Sequence, residues 1–377
     1  MFVKRLVDLD RIWDIQDEFV KTNNTNILNV SNWNCSKEFK NFLQNVFVYE
    51  NGNKFIDYFY SYTLSDDVLL KLKDKYPFCC DDNEVQITPN NTVSIVYIVN
   101  LLKQLKIKKV CIVAPTYFSV YSAFDLFGIK YDRISIKKNK DTYELNTNKD
   151  LSSYDVFWVT HPLFCGGIYP EKSFLDKISN ISKNALIITD ESYCEYGQEL
   201  PRQTVIKNHI GIYSPHKSIG FNSFKFSIII FDKKYSKILE HWSDILCGSL
   251  NLTNYNAIQH FLSNNYIVCK DHYSKLMYQA RSSVQQTLLQ CEKLSFDNNA
   301  NGNMMMIYAP RISFKEFYNE QFYWDLMSNT MGCILPGYLH DYDESFGFSF
   351  RINLSLYNQH FQCVFNNICQ YLNHYCR

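Results

Sequence analysis

Between about residues 85 and 245, short apolar runs alternate with longer stretches whose apolar positions recur at helical spacing. "EVQIT" leads into "TVSIVYIVNLLKQL", and "KKVCIVAP" into "YFSVYSAFDLFG"; "YDVFWVT", "EKSFLDKISNIS", "ALIITD", "HIGIYS" and "FKFSIIIF" follow. The strand-length runs carry few polar residues at alternate positions, so both of their faces are expected to be buried. Strands of that kind, separated by helices, predict an α/β fold with a mostly parallel sheet covered by helices on both faces. After Asn251 the texture changes to one long helical stretch, "NYNAIQHFLSNNYIVCKDHYSKLMYQARSSVQQTLLQCEK", then shorter strands such as "GNMMMIYAP" and "FGFSFRINLSL", then a final helix. This predicts a large domain over 46–250 and a smaller α+β domain over 251–377. The segment 1–45 has too little apolar content for a core of its own and is expected to pack with the small domain.

Composition narrows the function. The 377 residues carry 38 basic and 38 acidic side chains without long runs of either sign, which argues against a nucleic-acid partner and favours a small molecule. No apolar run is long enough to cross a bilayer, and charges interrupt "MFVKRLVDLDRIWDIQDEF", so no membrane association and a cytoplasmic location are expected. The 13 cysteines include no CxxC pair; they read as buried apolar residues in a reducing compartment, and no metal site is expected.

In an open parallel sheet, ligands sit beyond the carboxyl ends of the strands, and unusual residues gather at those ends here. Asn90, Asn91 and Thr92 follow "EVQIT" and open a helix; Tyr117 follows "CIVAPT"; "HPLFCGG" follows "FWVT". Asp190 and Tyr193 follow "LIIT", and Ser214, Lys217 and Lys225 follow "GIY". A desolvated lysine can condense with an aldehyde cofactor. An aspartate that keeps a pyridine nitrogen protonated turns that ring into an electron sink. Tyr193 is within reach of a neighbouring ring hydroxyl, and Tyr117 of the ring face. The helix start at Asn91 and Thr92 offers N–H groups to a phosphate, with Ser214 and Lys225 completing the cup. The cofactor expected is pyridoxal 5'-phosphate, with Lys217, Asp190 and Tyr193 as the catalytic group. The plainer readings are a solvated helix start at Asp190, a surface Lys217, packing roles for His161 and His216, and an inert Cys165.

Taken together, "ITPNNTVSIVYI", "APTYFSVY", "HPLFCGG", "TDESYCEYG", "SPHKSIGFNSFK", "ILPGYLH" and "FRINLS" resemble, in order, the landmarks of the class I/II aminotransferases, the fold type I group of pyridoxal-phosphate enzymes. The histidinol-phosphate aminotransferase branch is nearest in size, and the resemblance covers nearly the whole chain. It implies an aminotransferase acting on an amino acid in a specialised biosynthetic pathway, and a homodimer in which Tyr62 reaches the neighbouring subunit's phosphate. It also implies a substrate carboxylate bound by Arg351, with Asn32 and Asn34 beside it.

The departures matter as much. Phe164 stands where the family has an asparagine bonded to the cofactor's ring oxygen. Lys225 replaces the phosphate arginine and so lacks its bidentate fork. His216 precedes the lysine where serine or threonine is common, and Asn90-Asn91 replaces a glycine-led pair. These changes mark a divergent member. They leave open a decarboxylase or carbon–carbon lyase on the same fold, and a non-catalytic binding protein.

Overall fold

The computed structural model describes residues 2–32, 36–46, 60–61, 63–75, 83–139, 142–145, 150–170, 172–195, 198–203 and 206–375. Its main sheet has eight strands: β1 (Asn83–Thr88), β2 (Val110–Ala114), β3 (Tyr131–Asn139), β4 (Thr142–Leu145), β5 (Val156–Thr160), β6 (Leu186–Glu191), β7 (His209–Tyr213) and β8 (Ser227–Asp232). Their spatial order is β1-β8-β7-β6-β5-β2-β3-β4. The central five, β7 to β3, run parallel. β8 lies antiparallel between β1 and β7, and β4 folds back on β3. The β3–β4 hairpin is absent from the sequence reading, because the charges of "YDRISIKKNKDTYEL" mask its alternation. Ile134 and Ile136 are nevertheless buried while Lys137 stays exposed, as a half-covered sheet edge requires.

Helices pack on both faces. Asn90 caps the helix over Asn91–Gln104, its side chain accepting from Val93 N at 3.0 Å, which satisfies one of the orphan N–H groups of a helix start. That helix buries Ile95, Ile98, Val99 and Leu102 in one apolar layer with Trp158 and Ile188 of the sheet. Residues of the opposite parity, Phe157, Val159 and Ile187, face a second layer that includes Phe174 and Ile178 of the helix Lys172–Ile181. Each such residue contributes about 1.5–3 kcal/mol through burial. Trp158→Ala would cost about 3–5 kcal/mol.

The C-terminal third forms a four-stranded sheet of β9 (Ser295–Phe296), β10 (Met304–Ala309), β11 (Leu335–Pro336) and β12 (Phe348–Asn353), in the order β9-β10-β12-β11 and antiparallel throughout. The long helical stretch runs over Leu252–His260 and Tyr266–Leu289, joined by a widened turn at Phe261–Asn265. The N-terminal segment leans on this part of the chain. Leu28–Asn29 pairs in parallel with Gly332–Cys333, Arg11 donates to both carboxylate oxygens of Glu320 at 2.7 and 2.8 Å, and Phe19 lies 5.4 Å from Trp324.

From β2 the chain moves outward to β3 and returns on the other side of β2 as β5. The crevice at that reversal is where an α/β sheet receives ligands. Thr116 and Thr160 close its floor with a hydroxyl–hydroxyl bond of 2.7 Å.

Candidate active site

Asp190 is the penultimate residue of β6, paired with Thr160 on one side and Ile212 on the other, so its place at the strand end is set by both ladders. It is buried. One carboxylate oxygen accepts from Ser192 N at 3.2 Å and Ser192 Oγ at 2.6 Å; the other accepts from Asn91 Nδ2 at 3.1 Å. Three donors thus hold the buried charge. Ser192 carries a recognisable signal, a hydroxyl two residues after an aspartate, which the sequence reading did not use.

β7 ends in a single helical turn, Pro215–Ser218, with Ser214 at its start. The turn presents Lys217 half-buried at the cavity wall, with Nζ 5.4 Å from the centroid of the Tyr193 ring. Burial pushes the Lys217 ammonium below its ordinary value and Lys225 adds to this, while Asp190 opposes it. Burial holds the Tyr193 phenol well above its usual range.

The segment 161–168 forms the facing wall. His161–Pro162 is a cis peptide, Leu163 bonds back to Ile168, and Cys165 and Gly167 adopt left-handed backbone with φ of 57° and 63°. Gly167 admits no side chain, because a Cβ there would meet Asn301 O at 2.2 Å and Met304 O at 2.5 Å. The turn is thereby pressed against residues 300–304 of the C-terminal sheet. Phe164 lies on the wall 5.6 Å from Tyr117 and 5.8 Å from His340, and its carbonyl accepts from Tyr342 OH at 3.0 Å.

Together these elements enclose a cavity of about 590 Å³. Asn90, Asn91, Thr92, Tyr117, Phe164, Asp190, Tyr193, Lys217 and Lys225 all line it. Within that set, the Asn90 side chain is spent on capping its helix and Asn91 on Asp190, while Thr92 and Lys225 are exposed. Ser214 does not line the cavity: it is buried one step behind, bonded to Ser227 Oγ at 2.6 Å and to Ser192 Oγ at 3.4 Å. Arg351 also stands behind the wall. It is fully buried, with Nη1 3.4 Å from the thiol of Cys165, which does line the cavity, and with Nη2 donating to the carbonyl of Ser31. Ser31 Oγ donates to the Arg351 carbonyl in return. The guanidinium therefore knits the N-terminal segment to the wall, and it is not itself among the residues that line the cavity. Asn32 lies on that segment, its carbonyl accepting from Asn353 Nδ2 at 2.7 Å, and is not on the cavity wall. Tyr62 and Asn34 lie outside the described residues.

The wall also holds His161, His216, Asn222 and Asn301 to Asn303, which the sequence reading left in packing roles or did not single out. His161 accounts for itself in part: Nε2 lies 2.7 Å from the Gln198 carbonyl, and burial lowers its pKa to about 4. Both ring nitrogens of His216, Nδ1 of His161, Oδ1 of Asn91 and Nδ2 of Asn303 are buried here without a hydrogen-bond partner. A buried orphan of this kind costs about 1–3 kcal/mol, so the wall is built for a polar ligand. A planar aromatic cofactor with a carbonyl, a ring nitrogen and a phosphate fits the donor set: an amine, a fixed carboxylate, a phenol, stacking aromatics and a helix N-terminus.

No family model matches the sequence. Over 221 residues the chain is 21% identical to the histidinol-phosphate aminotransferase of Buchnera aphidicola subsp. Cinara cedri (strain Cc), a stretch that spans 58% of this chain and 61% of that protein. The structure is similar to aspartate aminotransferase from Thermotoga maritima, with a TM-score of 0.73, 12% identity, and coverage of 98% of this chain and 97% of that one. It is also similar to the kynurenine aminotransferase of Pyrococcus horikoshii solved with PMP, with a TM-score of 0.74, 12% identity, and coverage of 97% and 95%. The chain has the aminotransferase fold, the one that the order of its motifs implied.

Proposed function

We propose that the protein is a pyridoxal 5'-phosphate-dependent aminotransferase acting on an amino acid. The observation that carries this reading is the meeting of Lys217, its pKa lowered by burial, with a buried and triply hydrogen-bonded Asp190 in one cavity. The relatives support it: the sequence relative and the structural neighbours named above are all aminotransferases.

A lowered pKa gives Lys217 more of its free amine near neutral pH, which suits it to hold an aldehyde. Asp190, kept ionised by its donors, would hold the ring nitrogen in its protonated form, and Tyr193 would donate to the ring oxygen. When bound, the cofactor supplies an electron sink for negative charge at the carbon that bears the substrate amine. Lys217 Nζ would take the proton from that carbon and return it to the cofactor's aldehyde carbon, on the far side of the shared nitrogen, acting as general base and then acid. Tyr117 and Phe164 exclude water from one side of the cavity. A homodimer, a cytoplasmic setting and a role in a specialised biosynthetic pathway belong to the same reading.

A second reading, decarboxylation or carbon–carbon cleavage, is favoured by two observations: Phe164 brings no polar group to the wall, and Arg351 is committed to Cys165 and Ser31. Incubating the cofactor-loaded protein with an amino-acid panel separates the two. Keto acid with pyridoxamine phosphate means transamination, and carbon dioxide or aldehyde release means the second reading. No product from any amino acid sinks both.

A further inference from the structure

The chemistry of the cavity leaves most of the cysteines unused, and two of them, Cys291 and Cys369, meet outside its wall. The helix over Tyr266–Leu289 and the last helix, Gln359–Tyr375, run side by side. Ser283 Oγ donates to Gln362 Oε1 at 2.8 Å and Thr287 Oγ1 to Asn366 Oδ1 at 2.7 Å. Just beyond the first helix, Lys293 N donates to Asn373 Oδ1 at 3.1 Å. The three ties advance in step along both segments. Cys291 falls between the last two on one side and Cys369 on the other, so this register sets the two side chains against each other. Cys369 donates a side-chain hydrogen bond to Cys291, and both belong to one apolar cluster.

The pair is asymmetric. Cys369 is fully buried, whereas Cys291 is 8% exposed where the first helix has ended. The hydrogen bond from Cys369 lowers the Cys291 pKa from 9.0 to about 7 against the effect of burial. Burial and that same contact hold Cys369 well above its ordinary value. Where no such neighbour acts, burial drives a thiol upward, as at Cys269 and Cys333, which rise to about 11 and about 12. A thiolate is the form that attacks an oxidant, and an adjacent thiol resolves the product. Cys291 has the reactive form, an opening to solvent and a resolving partner. Cys363, exposed on the last helix, supplies an internal comparison.

We propose that Cys291 and Cys369 are a peroxide-sensitive dithiol that closes into a reversible disulfide. The Cys291 thiolate attacks one oxygen of hydrogen peroxide; the O–O bond breaks, hydroxide departs, and Cys291 becomes a sulfenic acid. The Cys369 sulfur then attacks the Cys291 sulfur, the S–O bond breaks, and the leaving hydroxide takes the Cys369 proton as water. The first hydroxide takes up the proton that Cys291 had released and forms the second water. The two sulfurs have lost two electrons and the peroxide has gained them. An external dithiol restores the pair by exchange. The bond would fasten the last helix to the long one, and a transient disulfide of this kind is compatible with a reducing compartment.

The test uses the full-length protein, reduced, freed of reductant and exposed to a small excess of hydrogen peroxide. The remaining thiols are alkylated and the digest is read by mass analysis. A peptide joining Cys291 to Cys369, lighter than its two parts by two hydrogens, should replace more than about half of the free Cys291 peptide while most of Cys363 remains a thiol. Dithiothreitol should reverse the change. In Cys369→Ser, dimedone should capture Cys291 as its sulfenic-acid adduct, and no peptide should join Cys291 to any other cysteine. Cys291 that stays a thiol, whether or not Cys363 oxidises, overturns the proposal. So does Cys291 that advances to the sulfinic acid in wild type without a link to Cys369, a link to a different cysteine, or a link that a non-reducing gel shows to join two molecules. Should the serine variant not fold, the wild-type digest decides alone.

Discussion

Behind the cavity, on the far side of Asp190, lies a carboxylate that should make the protein less stable as pH rises. Glu191 is buried; Oε1 accepts from Thr189 Oγ1 at 2.6 Å and Tyr213 OH at 3.1 Å, and Oε2 from Leu200 N at 3.0 Å. Burial outweighs these donors, Glu199 adds to it, and the pKa rises from 4.5 to about 8. The unfolded chain releases this proton near 4.5 and the folded chain near 8, so between those values the native state holds the extra proton. Stability from this group is full below pH 4.5 and is lost as pH rises toward 8. The slope is about 1.4 kcal/mol per pH unit, or about 2–3 kcal/mol between pH 5.5 and 7.5. The buried neutral histidines His161 and His209, held at about 4 and about 3, act in the opposite direction below pH 6.5, so wild type alone will not display the effect. Glu191→Gln isolates it. The amide can turn its nitrogen toward Thr189 and Tyr213, each of which can accept, and its oxygen toward Leu200 N–H. We expect the thermal midpoint of the variant relative to wild type to rise by about 3–6 °C between pH 5.5 and 7.5, read by calorimetry at matched ionic strength. A difference that stays flat or narrows with pH refutes the reasoning.

Arg351→Lys cannot reach Cys165 and Ser31 together, and should cost about 2–4 kcal/mol of stability with cofactor affinity unchanged. A large rise in substrate KM at unchanged thermal stability would instead support the carboxylate-binding role expected from the sequence. Asp190→Asn should leave pyridoxal phosphate affinity within about tenfold and lower turnover by about a hundredfold or more, because the charge on the ring nitrogen is lost while the phosphate end stays intact; near-native turnover would contradict the site. Phe164→Asn adds a donor to the wall of the cavity that Tyr193 also lines and should lower by about one unit the pKa read from the absorbance of the bound cofactor. An unchanged spectral titration would show that the position does not face the ring oxygen.

What the sequence made legible follows from where each signal resides. Doubly apolar runs such as "CIVAP" and "LIIT" announce central parallel strands directly. Residues at their ends, Tyr117, Asp190 and Lys217, then fall at the carboxyl edge by the polarity of the sheet alone. The β3–β4 hairpin escaped because a sheet edge tolerates Arg133, Lys137 and Lys138. Partnership was the harder problem. Sequence order cannot tell that Asn91 is spent on Asp190, that Ser214 turns toward Ser227, or that Cys165 intervenes between Arg351 and the cavity. Each depends on side-chain direction at a loop, where no periodicity constrains it. His216 was visible as an unusual neighbour of Lys217, but that both its nitrogens are buried without partners is visible only in the structure.

The central claim is that Lys217 holds an aldehyde cofactor in this cavity, and one measurement reaches it directly. Pyridoxal phosphate is added to the full-length protein, the adduct is reduced with borohydride, and the modified lysine is located by peptide mass analysis. The account predicts a single reduced adduct on Lys217, and none in Lys217→Ala. An adduct that maps to Lys225 or a surface lysine, or that survives in the alanine variant, would contradict it.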